Sequence, residues 1–400
     1  MTGVQRSRLA PITLLAAISL LTGCRTMPPI VVHEGPLADR DLAMAWVKAA
    51  NRDAGNFSEQ LRVEAVLDDG GELSTKLTVT NIAKFDGRAE ILVKVQLPGG
   101  EATPEDEDGE AEDEDAGAAS AVYRVKVKKD RGDWIAGEDR FDATIGDCTV
   151  VVGVGYAQVH AVGKDFVLDY RVESDLPALR PAGGRVNFGG AFYTTTLPVP
   201  RGRLTGTLVT RGPPEEEGGE PVETTIDLEG SAYVEHRASD LAPYRMATKW
   251  FKMRELTSER TVVLSAFQRT AELGGGIQGW VLVASDDGLE AYEGEIELRP
   301  REETLDADTT YGVPALVFLE GKDGPGFRGV VRLNTLTRRR DDIANLSTLE
   351  RIVVKRLMKP FTYIFDDAEF LFKVRESDAT EDEIPWRGQT TFEFQQLNPE

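Results

Sequence analysis

An acidic side chain and an imidazole stand next to each other at Glu235 and His236, the clearest candidates for acid–base chemistry in the sequence. Both group types can move protons near neutral pH when their surroundings adjust their pKa. The flanking residues predict a strand, in which neighbouring side chains point to opposite faces. Only one of the two can therefore enter a given cavity unless the strand bends. The alternative, which we favour, is structural: both side chains hold the mouth of a β-barrel through hydrogen bonds.

Metal chemistry is not indicated by the histidines and cysteines. The three histidines, His33, His160 and His236, are far apart in sequence and do not form a spacing such as the i, i+4 pair of a helical zinc site. We therefore predict no metal site and no cofactor. Cys148 precedes Thr-Val-Val-Val, a run typical of a strand, and this context predicts a buried, inert thiol.

The N-terminus has the layout of a bacterial secretory signal over residues 1–23. Two arginines precede a short apolar run, Leu9 to Leu21, which is too short to span a bilayer. The tetrapeptide LTGC that follows resembles the bacterial lipobox, so Cys24 is predicted to be acylated, by chains such as palmitate, and to begin the mature chain. Arg25 stands where Asp would resemble an inner-membrane retention signal. We expect a lipoprotein of the outer membrane that faces the periplasm.

Composition limits the function classes further. The chain has 400 residues, of which 41% are hydrophobic, which is enough for two medium-sized cores. Its formal net charge of −22 is opposite in sign to the basic surface that nucleic-acid binding requires. We therefore predict no nucleic-acid partner, and expect the partners to be the membrane, through the lipid, and a hydrophobic small molecule or lipid.

The elements that must position these residues are mostly strands. Residues 24–36 contain prolines and a glycine and predict a linker. An amphipathic helix is predicted over 37–53, because its apolar residues recur at helical spacing, namely Leu42, Ala45, Trp46 and Ala49. From Phe57 onward, alternating runs separated by Asp/Gly turns predict an antiparallel meander.

Two acidic segments interrupt the strands. Residues 101–120 lack large apolar side chains, which predicts a disordered hairpin insertion. Residues 212–223 are acidic and rich in proline and glycine, which predicts an unusually long loop at the tip of a hairpin. The glycines at 274–276 predict a hairpin turn, since no Lys-Ser/Thr pair of a phosphate loop follows them.

Near the C-terminus, Ser347 and Glu350 have capping-box spacing ahead of a short helix that Pro360 ends. Many short strands and two short helices predict an all-β chain of two consecutive antiparallel barrels, with a short helix near each end. The first barrel is expected over 37–210, with its N-terminal helix, and the second over 223–400.

The stretch from Gly189 to Phe267 resembles the tandem lipocalin-like superfamily, which includes the survival factor family, the AttH-like proteins and the carotenoid 1,2-hydratases. The likeness lies in the order of its motifs, which are an aromatic strand, an Arg-Gly turn into a glycine-containing strand, a strand end of Gly, aromatic, acid and His, and a Trp-Phe pair (Phe192, Tyr193, Gly206, Gly230, Tyr233, Glu235, His236, Trp250, Phe251). With further likeness to the survival factor branch at Ala247, Lys249, the glycines 274–276 and residues 359–363, the resemblance covers about half of the chain.

The resemblance implies two calycin-type barrels with apolar interiors and, in the survival factor branch, carriage of a lipid-like molecule. Four aromatic residues could line a ligand cavity, although barrel aromatics more often belong to the core: Tyr233, Tyr244, Trp250 and Phe251. The hydratase branch implies an enzyme in which an acid such as Glu235 protonates a carbon–carbon double bond. Arg237 and Val234 depart from the residues typical of the hydratases and count against catalysis.

The sequence therefore predicts a membrane-anchored envelope lipoprotein that binds or carries a hydrophobic small molecule in a lipocalin-like barrel. One alternative is a hydratase- or isomerase-type enzyme that acts on an isoprenoid-like substrate. A second alternative is a structural lipoprotein whose barrels are filled by their own side chains. The sequence favours a protein without enzymatic activity.

Overall fold

The structure, a computed structural model, describes residues 37–82, 85–98, 120–212, 222–321, 327–344, 351–352, 354, 359–374 and 384–397. The predicted signal peptide, the lipidation site Cys24 and the linker 24–36 lie outside these residues. So do residues 101–119 of the first acidic segment and most of the C-terminal helix, of which Arg351, Ile352 and Val354 are helical.

The first sheet is antiparallel and curls into a nearly closed barrel. Its strands are β1 (Ser58–Leu67), β2 (Glu72–Thr80), β3 (Arg88–Pro98), β4 (Ser120–Lys129), β5 (Trp134–Ala136), β6 (Phe141–Ile145), β7 (Cys148–Gly153), β8 (Tyr156–Val162), β9 (Phe166–Glu173), β10 (Arg185–Phe188), β11 (Ala191–Gly212) and β12 (Val222–Ser239). The order is β4-β3-β2-β1-β12-β11-β9-β8-β7-β6-β5, and β10 pairs with β11. Edge strand β4 lies against β6, which brings the two ends of the sheet together.

The second sheet closes completely. Its strands are β13 (Ala247–Leu256), β14 (Arg260–Arg269), β15 (Ile277–Ser285), β16 (Gly288–Arg301), β19 (Leu316–Gly321), β20 (Arg328–Arg332), β21 (Arg338–Asp341), β22 (Phe361–Val374) and β23 (Ile384–Gln396), and a small separate ribbon is formed by β17 (Thr304–Leu305) and β18 (Gly312–Val313). The order is β20-β19-β16-β15-β14-β13-β23-β22-β21, and β20 also pairs with β22. The predicted fold class, two antiparallel β-barrels, is confirmed.

Alternation along the strands fills both barrels. In β1, every second residue is buried, so that Leu61, Val63 and Ala65 point into the first barrel. In β13, Phe251 and Met253 point into the second barrel. Each interior is packed with apolar side chains of its own sheet. Cys148 belongs to the first core, where it is buried as predicted, and burial raises the pKa of its thiol.

The division between the sheets falls later in the chain than the sequence predicted. The expected boundary between residues 210 and 223 lies within the β11–β12 hairpin, whose strands pair over most of their length. Strand β12 also pairs with β1 from Ser58↔Ser239 to Leu67↔Gly230. It therefore belongs to the first barrel, and the second sheet begins at Ala247, after the helical turn Pro243–Met246.

The predicted N-terminal helix forms as three short helical turns, Asp39–Asp41, Ala45–Val47 and Ala49–Arg52. The chain is extended at Lys48, which separates the last two turns. The Glu59 carboxylate accepts hydrogen bonds from the backbone amides of Ala45, at 2.7 Å, and Trp46, at 2.9 Å. Contacts with the barrel therefore shape this segment more than helical periodicity does.

Both acidic segments and the β1–β2 turn leave the first barrel at the same end. The β3–β4 pair ends at Pro98↔Ser120 and the β11–β12 pair at Gly212↔Val222, so both acidic segments join hairpin strands as predicted. Register places the β1–β2 turn at the same end, since Glu72 is opposite Gln96 and Leu67 is opposite Gly230. The N-terminal turns precede Ser58, at the other end of β1.

Hairpin geometry in the second barrel follows the sequence. After the helical turn Ala271–Leu273, the glycines Gly274, Gly275 and Gly276 have φ of 84°, 63° and 78°. This left-handed region is accessible to glycine without steric cost, and the chain re-enters the sheet at Ile277. The predicted hairpin turn is confirmed.

A buried arginine joins the two barrels. The Arg201 side chain, on β11, is 1% exposed and donates to the Asp286 carboxylate at 2.7 Å, to the Ser231 hydroxyl at 2.9 Å, and to the backbone oxygens of Ser258 at 2.7 Å and Thr257 at 3.1 Å. Three of these four partners belong to turns of the second barrel. One guanidinium thus holds two turns of the second barrel against the first.

Candidate functional site

Polar and aromatic side chains gather where the outer faces of the two barrels meet. On β12, Val234 and His236 point into the first barrel, and the intervening residues point outward, namely Tyr233, Glu235 and Arg237. On β13, the outward residues are Trp250, Lys252 and Arg254. The contact between the barrels therefore combines a charged strip from each strand.

Glu235 is held in a buried network of alternating charges. Its Oε1 accepts a hydrogen bond from Arg237 at 2.6 Å, and its Oε2 lies 3.6 Å from Arg254 of the second barrel. Arg254 also pairs with Glu64, which Arg62 contacts at 2.8 Å. The network crosses the contact between the barrels, so each barrel supplies charge that the other neutralises.

The network fixes the protonation state of its carboxylates. Burial raises the pKa of Glu235, but the guanidiniums of Arg237 and Arg254 outweigh burial and hold it below its usual value. The pKa of Glu64 falls to about 2 against the same opposing effect of burial, because Arg254 and Arg62 flank it. Both carboxylates are ionised at neutral pH. Glu235 is therefore an ion-pair partner, without the proton that a general acid must donate.

His236 lies on the opposite face of β12 from Glu235, as strand alternation requires. Its Nε2 is 2.7 Å from Oε1 of Glu59, which is fully buried, and its ring packs edge-on against Phe141. An ionised carboxylate only accepts hydrogen bonds, so Nε2 is assigned the proton. The contacts of His236 tie β12 to Glu59 and, through it, to the N-terminal turns. This arrangement matches the structural interpretation of the pair.

The predicted aromatic residues do not share one cavity. Phe251 lies inside the second barrel and stacks on Phe394 at 5.3 Å. Tyr233 is buried between the barrels, beneath the Arg254 guanidinium at 5.4 Å from its ring. Tyr244 lies half-buried on the helical turn Pro243–Met246. Trp250 is the member of the set that lines the pocket described next.

A pocket of about 50 Å³ opens on the outer face of the second barrel, beside the charged network. Its walls are Trp250, Lys252, Arg340, Thr362, Glu393 and Gln395. Strand register explains this grouping. Trp250 is opposite Gln395, Gln395 is opposite Thr362, and Thr362 is opposite Arg340, so four strands contribute one row. Lys252 and Glu393 are cross-strand partners in the next row.

One wall of the pocket is organised by Asp342. Its carboxylate accepts hydrogen bonds from Arg340 at 3.0 Å, from the Thr362 hydroxyl at 2.8 Å and from the Gln395 amide at 2.9 Å. These bonds fix three of the six lining side chains. Asp342 therefore positions the wall without itself lining the pocket.

The opposite wall carries Trp250 and Lys252. Trp250 packs in an aromatic cluster with Tyr193 at 5.5 Å and Phe267 at 5.8 Å. The Lys252 ammonium lies 5.2 Å from the centre of the Trp250 ring, a cation–π contact. The indole N–H of Trp250 is buried and has no hydrogen-bond partner among the described residues.

Lys252 has a strongly perturbed pKa. Burial, followed by the positive charge of Arg237, lowers its pKa from 10.5 to about 7, and Arg62 adds to the shift. Glu393 and Glu235 oppose it. A lysine that titrates near neutral pH can both donate and accept a proton under physiological conditions, which is the property of an acid–base catalyst.

Sequence reasoning identified Glu235, His236 and Trp250 but missed Lys252, Glu393 and Asp342. A signal was present for Lys252, because it alternates with Trp250 and Arg254 on a strand that otherwise carries core residues. Glu393 and Asp342 gave no local signal, since their roles depend on strands that are distant in sequence.

The described residues offer neither a metal site nor a membrane-spanning helix. No group of three or more His, Cys, Asp or Glu side chains that could hold a metal ion occurs among them. Within the same residues, no helix has the length and apolar character needed to cross a membrane.

Comparison with known proteins rests on structure, since no family model and no curated protein matches the chain. Solved structures with a similar arrangement include an AttH-type protein from Nitrosomonas europaea, with 12% identity and a TM-score of 0.46, covering 93% of this chain and 99% of that chain. CghA has 10% identity and a TM-score of 0.48, with coverage of 93% and 95%. Kievitone hydratase from Nectria haematococca has 9% identity and a TM-score of 0.44, with coverage of 91% and 96%. These neighbours include an AttH-type protein and a hydratase.

Proposed function

We propose that this protein is a hydratase- or isomerase-type enzyme that moves protons at a carbon–carbon double bond of an isoprenoid-like molecule, in the pocket between Trp250 and Arg340. The observation that carries the proposal is the placement of Lys252, whose ammonium stands in the pocket against an aromatic wall, with Glu393 as its cross-strand partner. The sequence favoured a non-enzymatic carrier and placed the candidate acid at Glu235.

The chemistry requires a group that is protonated before the reaction and can be reprotonated after it. The Lys252 ammonium donates its proton to one alkene carbon, and the π electrons of the double bond form the new C–H bond. The adjacent carbon becomes electron-deficient and bonds to the oxygen of a water molecule, which returns a proton to the lysine amine. This sequence is hydration. If the adjacent position instead loses a proton to the amine, the double bond moves and the reaction is isomerisation.

The surroundings of Lys252 support this role. The face of Trp250 stabilises positive charge that develops on the substrate carbon. Glu393 attracts the ammonium form, whereas Arg237 and Arg62 favour the neutral amine, so both protonation states are accessible near pH 7. The Glu235 network supplies these guanidiniums in fixed positions. Glu235 thus contributes by holding Arg237, which differs from the direct acid role considered from sequence.

Carriage of a lipid inside a barrel finds less support. Each barrel interior is packed with its own apolar side chains, including Phe251 and its neighbours. A carrier would require space at these positions. The same packing is expected of the structural alternative, which offers no role for Lys252.

The location of the enzyme is also a proposal. The layout of residues 1–24 supports export and acylation at Cys24, which would hold the body at the periplasmic face of the outer membrane. An enzyme held there meets apolar substrates in the lipid phase.

The test is proton exchange at the substrate. The full chain, purified in detergent, is incubated with geraniol, farnesol or geranic acid in deuterated water, and the products are analysed by mass spectrometry. We expect deuterium at an alkene carbon, with or without an added hydroxyl group. Lys252→Met is expected to lower the rate by about 10²-fold or more, since general acid catalysis typically contributes 10²–10⁴.

Lys128→Met is the matched control, because Lys128 also projects from a strand but pairs with Glu90 on the first barrel. It should leave the rate unchanged. Absence of deuterium with every substrate, or equal rates for wild type and Lys252→Met, contradicts the proposal. A lipid that co-purifies reproducibly while no exchange occurs would favour the carrier.

A further inference from the structure

A basic face lies on the outside of the second barrel, away from the pocket. It consists of three successive rows of outward side chains on the paired strands β16, β19, β20, β22 and β23. Six of these side chains are basic and three are acidic, namely Arg299, Arg301, Arg328, Arg332, Lys373 and Arg387 against Glu297, Glu320 and Glu369. The face therefore has an excess of positive charge, although the whole chain carries a net charge of −22.

Ion pairs within the face use only part of its positive charge. The Arg299 guanidinium lies 3.4 Å from the Glu297 carboxylate and 3.2 Å from that of Glu320. Three exposed arginines form no ion pair with another described residue, namely Arg301, Arg328 and Arg332. Their guanidiniums can therefore contact an external anion without breaking an internal ion pair.

An apolar row crosses the middle of the basic face. Register places Phe318 opposite Val330, and Val330 opposite Leu371, so that three strands contribute one continuous row. Arg299 and Arg387 are the cross-strand partners at its two ends. The Phe318 side chain is 44% exposed, and those of Val330 and Leu371 are half-buried. Removal of this apolar surface from water would be favourable.

Charge and apolar surface together indicate what covers the basic face. A purely acidic partner would contact the arginines but leave the apolar row in water. A stable protein interface buries about 800 Å² on each partner, and the half-buried Val330 and Leu371 contribute little to such an area. A bilayer with anionic lipids accepts both groups, because its headgroups attract arginine and its interfacial region accepts aromatic rings without matched shape.

We propose that the basic face docks on the surface of a membrane that contains anionic lipids, with Phe318 entering the interfacial region. The proposal does not depend on the chemistry of the pocket. Acylation of Cys24, itself a proposal, would raise the local concentration of the face at the bilayer and so favour docking.

Fluorescence quenching in vesicles tests this docking. Phe318→Cys is labelled in the full chain with a nitrobenzoxadiazole dye, whose ring replaces the phenyl group. The protein is reconstituted with brominated phosphatidylcholine, with or without phosphatidylglycerol. Because Cys148 is buried, wild type treated in the same way supplies the background. We expect strong quenching only with phosphatidylglycerol. Arg328→Gln combined with Arg332→Gln should lower the ratio of quenched to unquenched dye about 30-fold, since each arginine near an anionic surface contributes about 1 kcal/mol.

Two controls separate docking through this face from general attraction to the membrane. Ile135→Cys places the same dye on the first barrel, at a side chain that is 69% exposed, and should show no quenching. Lys94→Gln combined with Arg124→Gln removes two charges from cross-strand partners on the outer face of the first barrel, and should leave quenching at position 318 unchanged.

Three results overturn the proposal: equal quenching at positions 318 and 135, equal effects of the two double variants, or quenching that does not depend on phosphatidylglycerol. A blue shift of the dye at position 318 that grows with protein concentration in the absence of vesicles also overturns it, in favour of a contact between copies of this chain.

Discussion

Glu59→Gln should destabilise the first barrel, and the structure allows the cost to be worked out. Oε1 of Glu59 accepts from the Ala45 amide and from His236, both at 2.7 Å, and Oε2 accepts from the Trp46 amide at 2.9 Å. Glutamine keeps one side-chain oxygen, which can still accept hydrogen bonds from the Ala45 amide and from His236. Its NH₂ group then faces the Trp46 N–H, so that two donors meet and one buried N–H loses its partner.

The expected decrease in the free energy of unfolding of Glu59→Gln has two sources. A buried, unsatisfied N–H costs about 1–3 kcal/mol, and loss of the charge removes roughly half the strength of each of the two remaining hydrogen bonds. Because Glu59 is fully buried, water cannot replace the lost acceptor. We expect the free energy of unfolding to fall by about 3 kcal/mol.

Urea denaturation followed by Trp fluorescence measures this loss, and hydrogen exchange should show faster exchange of the Ala45 and Trp46 amides. Glu72→Gln is the control, because Glu72 is exposed at the start of β2, and it should change stability by less than about 0.5 kcal/mol. A loss below about 1 kcal/mol for Glu59→Gln, with unchanged exchange at both amides, would refute the reasoning.

Four further outcomes are expected. The free energy of unfolding of the wild type should rise with pH between about 7 and 10.5, because the unfolded chain retains the Lys252 proton that the folded chain releases near pH 7. Urea denaturation at several pH values measures this rise. Parallel pH profiles for wild type and Lys252→Met would contradict it. Arg201→Met should cost about 2 kcal/mol, measured by urea denaturation, and should increase proteolytic cleavage between the barrels, whereas an unchanged midpoint would show that the clamp contributes nothing. Cys24→Ser should remove the acyl chains detected by mass spectrometry of the intact protein, and continued acylation would exclude the lipobox. Deletion of residues 101–119, with closure by a short glycine turn, should leave cooperative unfolding intact, because doubling the length of a loop changes the free energy of its closure by only about 0.6 kcal/mol. Loss of the transition in the urea curve would show that the segment packs against the barrel.

Local patterns predicted the sheets well, for identifiable reasons. Alternation in β1 and β13 marks one buried face, and glycines at 274–276 mark a turn that requires positive φ. Both patterns depend on the backbone and on nearest neighbours. The chain segment 37–53 failed to form one helix because a distant acid, Glu59, binds its amides. Long-range contacts of this kind leave no periodic signal.

The candidate site was less accessible from sequence. Arg254 and Glu64 are 190 residues apart, and their pairing exists only because the outer faces of two barrels meet. The lowered pKa of Lys252 depends on arginines from the other barrel. A strand of known alternation shows which side chains share a face, but not what covers that face. Prediction of the site therefore required the packing of the barrels.

The register of the hairpins places the strand ends that flank both acidic segments at one end of the first barrel. Residues 101–115 contain ten acidic side chains and residues 213–221 contain four, and both segments join strands that end at the same pole. The N-terminal turns, which lead back toward Cys24, lie at the other pole. The surface of a membrane with anionic lipids repels negative charge over about a Debye length, roughly 8 Å at physiological salt. If Cys24 is acylated as proposed, we expect this repulsion to keep the end of the barrel that carries the acidic segments away from the membrane.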